Sequence, residues 1–197
     1  NDAPVATTGL SGTTNEDQFI VIALSGSDID GDNLTFSLEL DATHGSVVID
    51  GSLATYTPAS DYNGDDSFIF TVSDGDLSDS ATVTLTIEPI NDTPVFITTS
   101  LPSIDEDTQY SFTLEVSDID NDQSDLDVSI LSGPSWLSIS DFTLSGIPGD
   151  SDVGASTVLL NLTDGEINIS NPFELIVNPV NDAPVATTGL SGTTNED

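Results

Sequence analysis

The sequence contains no lysine and no arginine in 197 residues, against 35 aspartates and glutamates. No salt bridge or guanidinium–carboxylate fork can form within it. Its carboxylates must be answered by water, by backbone N–H groups or by cations from outside. Nucleic acid and anionic membranes are held through Lys and Arg, so neither is an expected partner. Trypsin has no site to cut. Cysteine is absent too, which excludes a disulfide staple, a zinc–thiolate site and thiol redox chemistry. No run approaches the roughly 20 apolar residues that span a bilayer, so no membrane contact is expected of this stretch. There is no initiator methionine or signal peptide, as in an internal piece of a longer chain. No window shows a helical period. Such acidity can mean disorder, but the regular alternation described next argues against that for most of the chain.

What is present is a repeat. Asn91-Asp92-Thr93-Pro94 stands mid-chain and returns as Asn1-Asp2-Ala3-Pro4 and Asn181-Asp182-Ala183-Pro184, 90 residues apart each time. Residues 181–197 repeat 1–17 letter for letter. The expected organisation is a domain over 1–90, a second over 91–180, and over 181–197 the opening of a third. Each is small enough that its core alone gives modest stability and a further staple is expected.

Within each unit the pattern is that of strands. Residues 18–24 (QFIVIAL), 34–40, 46–50, 53–57 and 67–73 are apolar or alternating, and Ala81, Val83, Leu85 and Ile87 alternate with Thr82, Thr84 and Thr86. Period two means one face buried and one wet. In the second unit Phe112, Leu114 and Val116 read as one strand, Val158, Leu160 and Leu162 as another, and 172–179 as the last. Gly, Asn, Asp, Ser and Pro punctuate these runs about every ten residues, which predicts all-β, antiparallel sandwiches of the Ig type. Pro89 and Pro179 should end their strands by removing a ladder donor. The next strand is then expected at Asn91 or Asn181, joined by a very short, semi-rigid linker.

A 90-residue shift changes most surface residues but leaves certain acids in place. Glu16-Asp17 maps to Glu106-Asp107, and Asp28, Asp30 and Asp32 map to Asp118, Asp120 and Asp122. Asp74-Gly75 maps to Asp164-Gly165, and Asn91-Asp92 to Asn181-Asp182. Calcium takes six to eight oxygens at ~2.3–2.6 Å from carboxylates, Asn side chains and carbonyls. A D-x-D turn aims two carboxylates at one point. Without an ion so many like charges would repel on the kcal/mol scale.

Asp28-Ile29-Asp30-Gly31-Asp32-Asn33, then Asp74-Gly75, then the strand leading into Asn91-Asp92-Thr93-Pro94-Val95-Phe96 resembles a cadherin repeat, in the order DxDxGxN, xxDG and NDNxPxF. Residues 55–75, with His44-Gly45 upstream, resemble the tandem cadherin-like repeats of large bacterial surface proteins. Residues 133–148 resemble the dystroglycan-type cadherin-like domain. The resemblance implies two sandwiches in an elongated end-to-end arrangement with Ca2+ at each junction. Carried over, the complete junction would use Glu16, Asp17 and Asp61 from unit one, Asn91 and Asp92 from the linker, and Asp118, Asp120 and Asp164 from unit two. Asn1, Asp2, Asp28, Asp30 and Asp74 would form one half-site, and Glu106, Asp107, Asp152, Asn181 and Asp182 another. The cadherin DRE motif cannot be present without arginine, so Asp61 and Asp152 are placed by position alone. Pro89 and Pro179 stand where cadherins carry a linker acid, which leaves the number of ions open.

Other readings are weaker. Asp28, Asp30, Asp32 and Glu39 fall at EF-hand positions, but Asn33 replaces the required glycine, strands flank the loop and Ser129 stands at position 12 of the second copy. His44, the lone histidine, reads as a His-Gly turn. Trp136, expected in a strand, reads as core, and Tyr62 as the better candidate for an exposed ring. No carboxylate pair stands out as a glycosidase dyad, so no enzyme is expected. The expectation is a monomeric, calcium-binding extender of a secreted bacterial RTX adhesin of the cell surface, partnered by adjacent repeats and projecting a distal region for attachment and biofilm formation. The rival is a cadherin-like module that binds polysaccharide or pairs homophilically.

Overall fold

A computed structural model of the protein describes residues 1–181 and Ala183; the predicted ligand Asp182 and the rest of the 181–197 stub lie outside the described residues. The chain divides into two compact units, the first Asn1–Asn91 and the second opening at Asp92.

Unit one contains β1 (Val5–Ala6), β2 (Ser11–Asn15), β3 (Ile20–Ala23), β4 (Gly26–Ser27), β5 (Thr35–Leu40), β6 (Gly45–Asp50), β7 (Leu53–Pro58), β8 (Gly64–Ser73) and β9 (Ser78–Glu88). A four-stranded sheet runs β2-β9-β8-β5 and a three-stranded sheet β3-β7-β6, with β1 and β4 paired beside them. Every pairing is antiparallel except β2 with β9. The period-two pattern does what it predicts: Ala81, Val83, Leu85 and Ile87 turn inward onto Phe68, Phe70, Val72, Ala54 and Tyr56. The intervening threonines stay exposed.

Unit two repeats the plan with β10 (Val95–Phe96), β11 (Ile104–Asp105), β12 (Tyr110–Thr113), β13 (Val116–Ser117), β14 (Asp127–Ser132), β15 (Ser138–Ser140), β16 (Thr143–Gly146), β17 (Gly154–Thr163) and β18 (Asn168–Asn178). Its sheets run β11-β18-β17-β14 and β12-β16-β15. The core is built on Leu114, Leu144, Val158, Leu160, Leu162 and Leu175.

Several expectations are corrected. Phe112, Leu114 and Val116 are not one strand: β12 pairs with β16 and β13 with β10. Between them Leu114 is fully buried and its N–H goes to the Phe142 carbonyl. Trp136 lies in a turn, closed by the Leu137 N–H on the Pro134 carbonyl, and packs edge-to-face on Tyr110. No strand starts at Asn91; the backbone re-enters a sheet at Val95. The last strand begins at Asn168 rather than 172. Pro172 is tolerated inside it because β11 joins β18 only at Val177 and Asn178, so the proline faces no ladder on that side. The strand Ser11–Asn15 escaped the sequence reading, since SGTTN carries no apolar residue to mark it.

Candidate functional site

Each unit gathers oxygens at both ends of its long hairpin strand. In unit one the β8–β9 turn is an Asx turn: Asp74 Oδ1 accepts the N–H groups of Asp76 and Leu77, each at 2.7 Å. Gly75 supplies the positive φ of 106° that the turn needs. Those two N–H groups, with that of Leu77 foremost, hold the Asp74 carboxyl below its ordinary value against a small opposing effect of burial, with Asn1 assisting. Asn1 Nδ2 donates to Asp74 Oδ2 at 3.0 Å, and the Asp2 N–H donates to Asp30 Oδ2 at 2.7 Å. Asp28 Oδ1 in turn accepts from Asp30, Gly31 and Asp32, while Asp28 Oδ2 is buried with no partner among the described residues. Of the residues inferred from sequence as one half-site, Asn1 is thus hydrogen-bonded to Asp74, and Asp2 to Asp30 and through it to Asp28; the two sets meet at the Asn1–Asp2 peptide. Asp32 belongs with them: oxygens of Asp28, Asp30 and Asp32 lie within 4.8 Å of one another. Its recurrence as Asp122 was the signal that could have included it.

At the far end of β9, Glu16 is only 3% exposed. Its Oε1 accepts the Ile90 N–H at 2.6 Å and its Oε2 is buried without a partner among the described residues. Asp17 and Asp61, both at positive φ, present carboxylate oxygens within 4.8 Å of each other. The Asp61 N–H reaches Asp17 Oδ1 at 3.3 Å. The Asp61 position inferred without its motif therefore sits beside Asp17.

Unit two reproduces both ends. The Asp92 N–H donates to Asp120 Oδ2 at 2.7 Å, and Asp118 Oδ1 accepts from Asp120 and Asn121. Asp164 Oδ1 accepts from Glu166 and Ile167. Asp118 Oδ2 and Asn121 Oδ1 are buried without a partner among the described residues, so Asn121 is a further ligand-type oxygen that the Asp-based reading passed over. At the other end Glu106, 5% exposed, accepts the Val180 N–H at 2.6 Å and leaves Oε2 buried with no partner among the described residues. The Asp107 N–H donates to the Pro148 carbonyl, next to Gly149, whose N–H donates to Asp152 Oδ2 at 2.9 Å. Asn91 is half-buried and Asn181 exposed.

A buried carboxylate oxygen with no donor costs desolvation without return. Four of them recur at equivalent places in two diverged units: Glu16 and Glu106 Oε2, Asp28 and Asp118 Oδ2. In a chain without lysine or arginine, the chemistry such oxygens suit is a hard cation.

A family model described as "Bacterial Ig domain" matches residues 1–86, and one described as "Putative Ig domain" matches 93–178. The chain is a tandem of Ig-like domains. No curated protein sequence matches it. Among solved structures, this Ig-like tandem is similar to human protocadherin-24 EC1-2 at a TM-score of 0.64 and 18% identity, over 91% of this chain and 100% of that one. Drosophila N-cadherin EC1-4 gives 0.62 at 14% identity, over 91% of this chain and 50% of that one. These likenesses show a cadherin-like fold for the Ig-like tandem. An endo-fucoidan hydrolase of glycoside hydrolase family 107 aligns at 23% identity over 90% of this chain with a TM-score of 0.41; the chain spans 29% of that protein's length. Among the described residues no helix is long and apolar enough to cross a membrane.

Proposed function

We propose that the tandem is a non-catalytic spacer of a large secreted bacterial surface adhesin. Calcium stiffens it where modules join, and the array projects a distal binding region for attachment and biofilm formation. The observation that carries this reading is the orphaned Glu16 Oε2, repeated at Glu106, next to acids that recur at a 90-residue spacing. Glu16, Asp17 and Asp61 would hold the ion from unit one, with Asn91, Asp92, Asp118, Asp120 and Asp164 from the linker and unit two. The remaining sets, Asn1, Asp2, Asp28, Asp30 and Asp74, and Glu106, Asp107, Asp152, Asn181 and Asp182, would serve junctions to the neighbouring repeats. The ion supplies positive charge to a chain that has no lysine or arginine to supply it. Because it binds the folded chain and not the unfolded one, it stabilises by about 2.7 kcal/mol at a hundredfold excess over Kd. Millimolar extracellular calcium is enough to occupy from about half to most of such sites, whose Kd in extracellular modules is about 10⁻⁴–10⁻³ M.

The test is small-angle scattering of the fragment in EDTA, in millimolar calcium and in millimolar magnesium. The expected result is a broad ensemble that becomes a single extended rod with calcium only. Glu16→Gln adds a sign: it keeps an acceptor for the Ile90 N–H and removes a buried charge. It should therefore leave metal-free stability equal or higher, yet lower it in calcium. A scattering profile indifferent to calcium, with Glu16→Gln indifferent as well, would sink the reading.

A further inference from the structure

The outer surface of unit one carries a cleft that the metal sites do not use. It is an open groove of about 500 Å³ lined by Thr43, His44, Asp65, Asp66, Ser67, Thr84, Leu85 and Thr86, a volume within the roughly 300–1,000 Å³ of small-molecule sites. Its construction is rigid. Asp66 accepts the N–H groups of Thr43 and His44, at 3.1 and 2.9 Å, and the hydroxyl of the buried Tyr56 at 3.0 Å. That pins the 43–44 turn to β8. The His44 ring stacks on Tyr62 with centroids 4.1 Å apart and planes 3° from parallel, and the Tyr62 hydroxyl is fixed on the Asp65 carbonyl at 2.7 Å. The chain's one histidine is therefore held as a flat, backed plate at the cleft wall.

The polar groups beside this plate are unspent. Among the described residues the side-chain hydroxyls of Thr43, Ser67 and Thr84 make no hydrogen bond, and the Asp65 carboxylate has only the Thr86 hydroxyl, at 3.5 Å. An aromatic plate, free hydroxyls and one free carboxylate are what a pyranose needs: a surface for its C–H face and strong acceptors for its hydroxyls. The charge selects further. A uronate, sulfate or phosphate would face Asp65 and Asp66 with no lysine or arginine anywhere in the chain to offset them. We propose that this cleft binds a neutral oligosaccharide.

Unit two is a built-in control. The β17–β18 register matches β8–β9 at a 90-residue shift: Gly64 opposes Ile87 and Gly154 opposes Val177. Where unit one has Asp65 opposite Thr86 and Ser67 opposite Thr84, unit two has Ala155 opposite Ile176 and Thr157 opposite Glu174. Two of the three shelf hydroxyls are gone from it, and its one carboxylate, Glu174, stands where unit one has Thr84 and not at the Asp65 position.

The test is an NMR titration of the isotope-labelled 197-residue chain, in calcium and again in EDTA, with cellobiose, mannobiose and chitobiose, and with digalacturonate as the anionic probe. At least one neutral disaccharide should shift the amides of residues 43–45, 65–67 and 84–86 in both buffers, and digalacturonate should not. The double substitution Asp65→Ala, Thr86→Ile, which installs unit two's residues at exposed sheet positions, should weaken binding at least tenfold, as should His44→Ala. The proposal is overturned if no neutral sugar shifts those amides, if the double variant binds equally, or if digalacturonate binds as well. Because the response is read with and without calcium, its failure is distinct from failure of the spacer reading.

Discussion

The two units solve one packing problem with exchanged parts. Phe68 on β8 faces Val83 on β9 across the central hairpin of unit one, and in unit two the same pair is Val158 facing Phe173. One large and one small side chain fill the layer in both, but from opposite strands. The outer faces of the small sheets follow no such rule. In unit one Val21, Thr55 and Val48 lie in a row, with both valines exposed. In unit two the rows are Ser111, Ser145 and Ser138, then Thr113, Thr143 and Ser140. This core pair thus keeps its summed volume while exchanging identity, the acids at the strand ends keep identity, and these outward rows keep neither. Interiors are close-packed and feel a single methylene, whereas a wet face does not.

The exchange can be broken and remade. Phe68→Val alone should cost somewhat less than the roughly 3–5 kcal/mol of a full Phe-to-Ala truncation, and Val83→Phe alone about 1–3 kcal/mol from overpacking. Together they recreate unit two's arrangement inside unit one and should return to within about 1 kcal/mol of the parent. Residues in contact couple in this way. Chemical denaturation of the single and double variants measures it; additive losses would show that the shared register does not mean a shared layer volume.

A smaller contrast lies in the buried tyrosines. Tyr56 in unit one donates its hydroxyl to Asp66 and to the His44 carbonyl. Tyr110 in unit two is equally buried, but its hydroxyl has no partner among the described residues, and burial pushes it up to about 12. Tyr56→Phe should therefore lose about 1.5–3 kcal/mol, as for a hydrogen bond to a charged group. Tyr110→Phe, which removes a hydroxyl that satisfies nothing, should be neutral or stabilising. Thermal unfolding of the two variants decides it, and equal losses would mean that the Tyr110 hydroxyl has found water.

How far these contrasts could be read beforehand depends on what marks a position. Inward residues on β8, β9 and β17 announce themselves through period-two alternation, and the ligand-like acids through recurrence at 90 residues. Strand β2 could not be seen, because SGTTN is held by its parallel ladder to β9 and not by burial of its own side chains. The split between β12 and β13 was hidden because Leu114 stays buried while the backbone changes sheets. Asp66 was hidden for a different reason. It looks like one acid among 35, and only the fold brings Tyr56, Thr43 and His44 to it. The cleft likewise needs β8, β9 and the His44 turn to be brought together, and no local pattern encodes that.

Asp66 also provides the finest contrast, since unit two has Ser156 at the matching place. Burial pushes the Asp66 carboxyl up, but the N–H groups of Ser67, His44 and Thr43 and the Tyr56 hydroxyl together outweigh it and hold the group below its ordinary value. A carboxyl that binds its proton more weakly in the folded state contributes stability above the unfolded value of about 3.9, and that contribution drains away as pH falls through the lower folded value. Unit one should therefore lose more of its stability on acidification below about pH 4 than Asp66→Ser, which carries unit two's residue. Because Asp66 is largely solvated the difference is expected to be small. Metal-free thermal unfolding from pH 5 downward would show the parent and the variant converging. Parallel curves for the two would mean that the Asp66 cradle holds the turn by shape and not by charge, which would leave the wall of the cleft equally well formed at every pH.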